Sequence, residues 1–124
     1  MTDYRPSTHG LLDLYGCPTT LLRNAKQLEQ ILRQAAQKVG AHILFTHFHT
    51  FDAGGGVTGV LLLAESHISI HTWAEHQFAA LDIFLCGSLK LECVADFFCQ
   101  ALHAQSHHWR QCPRGAHLPS HQIS

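Results

Sequence analysis

Three reactive side-chain types recur close together in the middle of the chain. Glu65-Ser66-His67 opens a strictly alternating stretch that runs through Ile68, Ser69, Ile70, His71 and Thr72 to Trp73, and Cys86 follows the next apolar run. A hydroxyl, an imidazole and a thiol are groups that attack carbonyls and carry protons near neutral pH. The alternation predicts a half-buried antiparallel strand over 67–73. Ala74 to Gln77 is a hairpin-sized connection, and Phe78 to Leu85 is the returning strand. Pairing Trp73 with Phe78 sets a register in which His71 faces Ala80 and Glu65 faces Cys86. The Glu65-Ser66 peptide then lies beside a thiol. Parity creates a tension, because Ser66 and His71 are five residues apart and a regular strand turns them to opposite faces. Their cooperation requires a bend or turn at Glu65-Ser66. Residue chemistry alone also admits a turn serine, a sheet histidine and a core cysteine.

The remaining reactive residues point less sharply. Twelve His and five Cys are unusual counts, yet no C-x-x-C pair occurs, so a dedicated zinc site is not expected. Cys17, Cys93, Cys99 and Cys112 read as reduced thiols, most simply small buried hydrophobes. His47 and His49 share one face of a strand, and His107, His108, His117 and His121 fall in a polar C-terminal region.

The elements that must position these groups follow from periodicity. Gly10 to Gly16 predicts a first strand. Pro18-Thr19-Thr20 offers a hydroxyl cap, after which apolar residues from Leu21 to Ala36 recur at helical spacing, and Gly40 ends that helix. Ala41 to Phe51 is a β run, and Asp52 to Gly56 a glycine-rich loop. Val57 to Glu65 is nearly continuously apolar, as a central buried strand would be. Leu89 to Ala104 predicts a second amphipathic helix and His107 to Gln111 a last strand. The order β-α-β-β-β-β-α-β implies an α+β fold: a two-layer sandwich of an antiparallel sheet with two helices on one face.

Composition narrows the function classes. The 124 residues suit one domain, 1–124, and a net charge of −1 gives no electrostatic support for a nucleic-acid or anionic-membrane partner. No run approaches the roughly 18 apolar residues of a membrane span. The N-terminus lacks the layout of a signal peptide, so a cytoplasmic domain is expected.

Leu63-Ala64-Glu65-Ser66-His67-Ile68-Ser69-Ile70-His71-Thr72-Trp73-Ala74-Glu75, with Ala79 through Gly87, closely resembles the prokaryotic S-adenosylmethionine decarboxylase proenzymes. The similarity extends through Phe48-His49-Thr50-Phe51, Gly55-Gly56-Val57-Thr58-Gly59-Val60 and Arg114-Gly115, covering roughly residues 8 to 115. The resemblance implies self-cleavage between Glu65 and Ser66 into a β-chain, 1–65, and an α-chain, 66–124. The Ser66 hydroxyl would attack the Glu65 carbonyl, and elimination from the resulting ester would leave dehydroalanine, which hydrolyses to a covalent pyruvoyl cofactor. His71 matches the proton acceptor of processing and Cys86 the proton donor of catalysis. Thr58 stands where the family often has a processing serine. The pyruvoyl group would form a Schiff base with the substrate amine and take up the electron pair left when CO₂ departs.

By the same resemblance the substrate is S-adenosylmethionine, the product is the aminopropyl donor for spermidine, and the protein is a homodimer with sites at the interface. Phe51, Trp73 and Glu75 are the substrate-binding candidates. The chain departs from the family at Ala74, where Pro is usual, at Gln77 and Phe78, where Gly and Tyr are usual, and at Asp52-Ala53-Gly54. Asp52 could receive a basic side chain, which keeps a pyruvoyl ornithine or arginine decarboxylase as an alternative. An unprocessed relative that binds and regulates an active partner is the non-enzymatic alternative.

Overall fold

The computed structural model describes residues 7–52, 54–85 and 91–117. Their elements are β1 (Ser7–Tyr15), α1 (Thr19–Leu22), α2 (Ala25–Lys38), β2 (Ile43–Thr50), β3 (Val57–Leu63), β4 (Ser66–Trp73), a 3₁₀ turn (Ala74–His76), β5 (Phe78–Leu85), α3 (Leu91–Ala101) and β6 (Ser106–Arg114). The strands form one antiparallel sheet in the order β2-β3-β4-β5-β1-β6. The expected α+β sandwich is the observed fold.

Side-chain alternation makes the two faces unlike. Leu12 and Leu14 of β1, Ile68 and Ile70 of β4, and Leu81 and Ile83 of β5 are buried beneath Leu28 and Leu32 of α2 and Phe98 of α3. Each such side chain contributes about 1.5–3 kcal/mol by leaving water. The opposite face carries Leu11, Thr58, Val60, His67, Ser69, His71, Asp82 and Phe84, none of them fully buried. No helix among the described residues covers it.

β1 begins earlier and β6 runs longer than the sequence reading has them, and two other elements differ in continuity or end. The helix expected to run unbroken from Leu21 to Ala36 stops at Leu22 and restarts at Ala25. Asn24 is the reason: its extended backbone breaks the helix, and its side chain accepts a hydrogen bond from the Gln27 amide at 3.1 Å, capping α2. The strand expected to continue to Glu65 ends at Leu63. Ala64 and Glu65 form a two-residue turn, and Ser66 already pairs back with Leu63. That strand is also covered on one face only, since Leu62 is 44% exposed.

The α1 end is tied to the sheet by Thr72. Its hydroxyl donates to the Leu22 carbonyl and accepts from the Val57 amide, both at 2.8 Å, which satisfies a buried polar side chain. Gln77 adopts φ 52°, the left-handed region that glycine enters freely. This accounts for the glycine usual there in the resembling family.

Cys17 is fully buried, and burial, with the neighbouring Cys99 adding to it, pushes its thiol up to about 11. Thiolate, the reactive form, is therefore scarce at neutral pH. Iodoacetamide should label exposed Cys93 and Cys112 in the folded protein and Cys17 only after denaturation, as read by peptide mass. Equal labelling rates would contradict its inertness.

Candidate active site

The Glu65-Ser66 peptide sits at the tip of the β3–β4 hairpin. Glu65 is exposed and holds φ 66°, a conformation that costs a non-glycine residue roughly 1–2 kcal/mol. Ser66 is half-buried, and its hydroxyl donates to the Ala64 carbonyl at 3.4 Å. The turn required at Glu65-Ser66 is present, but it precedes Ser66 and does not bend the strand after it.

His71 lies at the far end of β4. Ladder pairing with β3 is unbroken from Ser66 to His71, so Ser66 shares the parity of buried Ile68 and Ile70 while His71 stands on the uncovered face. Five residues of strand also separate them by about 16 Å. A single chain does not bring them together. His71 is instead paired with Thr58, its cross-strand partner, whose Oγ1 is 3.1 Å from His71 Nδ1. When Nδ1–H donates to that hydroxyl, Nε2 keeps the lone pair a general base needs.

The register deduced from Trp73 and Phe78 holds from His67–Phe84 to Trp73–Phe78, including His71 opposite Ala80. Glu65 lies beyond this ladder, in the turn. Cys86, expected opposite it, lies outside the described residues. β5 does return to the Ser66 end of the sheet.

The proposed substrate residues gather at the His71 end. Trp73 stacks on Phe78 with ring centroids 5.2 Å apart, and Phe78 on Tyr15 at 5.4 Å. This aromatic ladder is longer than the sequence reading anticipated. The Trp73–Phe78 pairing was its signal, whereas Tyr15 joins through long-range β1–β5 pairing. Phe51 is exposed at the end of β2, with His49 edge-on at 4.6 Å. Asp52 is exposed in the following turn, and Glu75 lies in the 3₁₀ turn after Trp73.

A second polar group, not anticipated from sequence, lies on the uncovered face toward the Ser66 end. His9 Nε2 is 3.4 Å from Asp82 Oδ2 without an aligned hydrogen bond, and the His9 ring stands edge-on to His67 at 6.3 Å. Burial chiefly, then His9, holds the His67 imidazole below its ordinary range against the opposing pull of Asp82. Among the described residues, no three His, Cys, Asp or Glu side chains gather as a metal-holding group. No helix of the described residues is long and apolar enough to cross a membrane.

Residues 8–115 match the family model described as S-adenosylmethionine decarboxylase. The S-adenosylmethionine decarboxylase proenzyme of Thermodesulfovibrio yellowstonii is 39% identical over 103 residues, 82% of this chain and 76% of that protein. The proenzyme of the same description from Anoxybacillus flavithermus is 38% identical over 107 residues, 86% of each chain. The crystal structure of the adenosylmethionine decarboxylase from Aquifex aeolicus is similar with a TM-score of 0.81 and 30% identity, covering 92% of this chain and 93% of that one.

Proposed function

The chain belongs to the S-adenosylmethionine decarboxylase family, and from that premise we propose how its residues divide the work. It is an S-adenosylmethionine decarboxylase proenzyme, of a pyruvoyl-dependent carboxy-lyase family.

In our reading Ser66 is the pyruvoyl precursor. Its Oγ attacks the Glu65 carbonyl carbon, the C–N bond breaks, and an ester with a free Ser66 amine results. A base removes the Ser66 α-proton, and the Glu65 carboxylate leaves from Cβ. Water then replaces the Ser66 nitrogen, which departs as ammonia. The observation that carries this reading is the hydroxyl placed directly after Glu65, an exposed turn residue in a strained conformation. A two-residue turn leaves room for the new chain ends to separate, which a mid-strand peptide would not. The pyruvoyl group supplies the electron sink for decarboxylation. Cys86, following the strand that returns toward Ser66, is assigned the proton delivered to the former α-carbon.

His71 is the base of processing, held by Thr58. The separation of this pair from Ser66 supports a composite site: Ser66 and Cys86 from one chain, with His71, Thr58, Phe51, Trp73 and Glu75 from a second. The uncovered sheet face is the surface on which a second copy would pack, giving the homodimer. A two-fold axis produces two such sites from two identical chains.

Trp73 and Phe51 offer aromatic faces to the adenine and the sulfonium, the latter worth about 1–2 kcal/mol where water is excluded. Glu75 offers an acceptor to ribose hydroxyls. CO₂ release by the processed enzyme should therefore favour S-adenosylmethionine over ornithine and arginine, and Trp73→Ala should reduce kcat/KM for it about tenfold or more with cleavage intact. A tenfold preference for ornithine or arginine, abolished in Asp52→Asn, would overturn the substrate assignment.

A further inference from the structure

The loop that begins at Phe51 is gripped from two sides. Arg23, the residue at which the first helical segment ends, donates from Nε to the Gly54 carbonyl at 3.3 Å. Its side-chain stem lies against Gly55, where an added Cβ would come within 2.9 Å of Arg23 Cγ and 3.0 Å of Cδ. From the other side Glu75 reaches Gly54, where an added Cβ would meet Glu75 Oε2 at 2.5 Å. The second oxygen of Glu75 is 3.9 Å from His76 Nε2. The base of the loop is closed by the Phe51 amide donating to the Gly56 carbonyl at 2.8 Å. Both glycines hold positive φ, 85° at Gly54 and 71° at Gly55, so the backbone at each contact is in a conformation that side chains resist.

We propose that Arg23 is a positioning residue for the substrate: by clamping the loop it fixes Phe51 and holds the Gly54 backbone against the Glu75 carboxylate. The inference rests on the reading of Phe51 and Glu75 as substrate-binding residues and adds what sets their geometry. It also gives the break between α1 and α2 a function. An unbroken helix would carry position 23 in a helical turn, whereas the cap at Asn24 leaves Arg23 at a helix end beside the loop. The side chain is exposed, so its role is not core packing. Arg23 meets the loop at Gly54 and Gly55, whereas His71 is held by its own hydrogen bond to Thr58, so cleavage should not depend on the clamp.

The test uses full-length, self-processed enzyme carrying Arg23→Ala, Arg23→Met or Arg23→Lys, with Phe51→Ala and Glu75→Gln as references. Cleavage, kcat and KM for S-adenosylmethionine are measured for each. Arg23→Ala should cleave normally and raise KM about tenfold with kcat changed less than about twofold, the size expected for losing one charge-assisted hydrogen bond. Arg23→Met keeps the stem without the donor and should resemble alanine, while Arg23→Lys should recover most of the affinity. Raised KM in both reference variants with an unchanged Arg23→Ala would overturn the inference alone. Unchanged KM in both references would overturn the substrate assignment and the inference with it. Equal recovery by methionine and lysine, or a loss of cleavage in Arg23→Ala, would make Arg23 a structural residue instead.

Discussion

Ser66→Ala should remain one uncleaved chain of 124 residues, while the native protein should resolve into pieces of 65 and 59 residues. Intact mass under denaturing conditions checks this without any activity assay. The α-chain should have no free N-terminal amine, because conversion of Ser66 to pyruvoyl would leave a keto acyl group in amide linkage to His67. Alanine has no oxygen with which to take the Glu65 acyl group, so the pathway stops before any bond breaks. Without the ketone there is no electron sink, and decarboxylation should fall toward the uncatalysed rate, a loss on the order of 10⁶-fold or more. Full-length native protein that persists through long incubation would sink the assignment. Cys86→Ala provides the contrast. It should still form the α-chain but lose about 10²–10⁴-fold in turnover, the range of general acid catalysis. Wild-type turnover in that variant would remove Cys86 from the mechanism.

The fold was legible where local pattern and global structure coincide. Strict alternation over 67–73 and an apolar return over 78–85 marked the two strands. Pairing Trp73 with Phe78 across the short connection set a register that is the observed one, with Ile68, Ile70, Leu81 and Ile83 buried together. The breaks were harder to see. Leu21 and Leu22 continue the apolar stripe of α2 through Asn24, and only the hydrogen bond to Gln27 turns that residue from helix interior to cap. Ala64 and Glu65 carry no glycine or proline to mark a turn, yet Glu65 adopts a left-handed conformation. The site was legible as residue types through the family resemblance, but its geometry was not. Parity set Ser66 and His71 on opposite faces of a regular strand, and β4 has no bend after Ser66 to reconcile them, so distance along the strand divides them as well. Arg23 and His9 gave no sequence signal because their contacts depend on strands and loops distant in the chain.

That division makes a complementation result the most discriminating expectation for the assembled enzyme. Ser66→Ala and His71→Ala should each remain uncleaved alone, the first lacking its nucleophile and the second slowed about 10²–10⁴-fold by loss of its base. Differently tagged copies of the two variants, co-expressed and purified through both tags, yield the mixed dimer. One of its sites would combine Ser66 of the His71→Ala chain with His71 of the Ser66→Ala chain. The other would have neither group. The His71→Ala chain, and only that chain, should therefore cleave, which differently sized tags reveal by mass. A base acting within its own chain predicts no cleavage in either partner and would reject the composite site. Thr58 supplies an internal control because its hydroxyl lies 3.1 Å from His71 Nδ1. Thr58→Val should slow rescue when placed in the chain that supplies His71 and have little effect in the chain that supplies Ser66. Thr58→Ser keeps the hydrogen bond and should preserve rescue in either position. A dependence on which chain carries the Thr58 substitution follows from sites shared between two copies, since a general loss of stability would act from both.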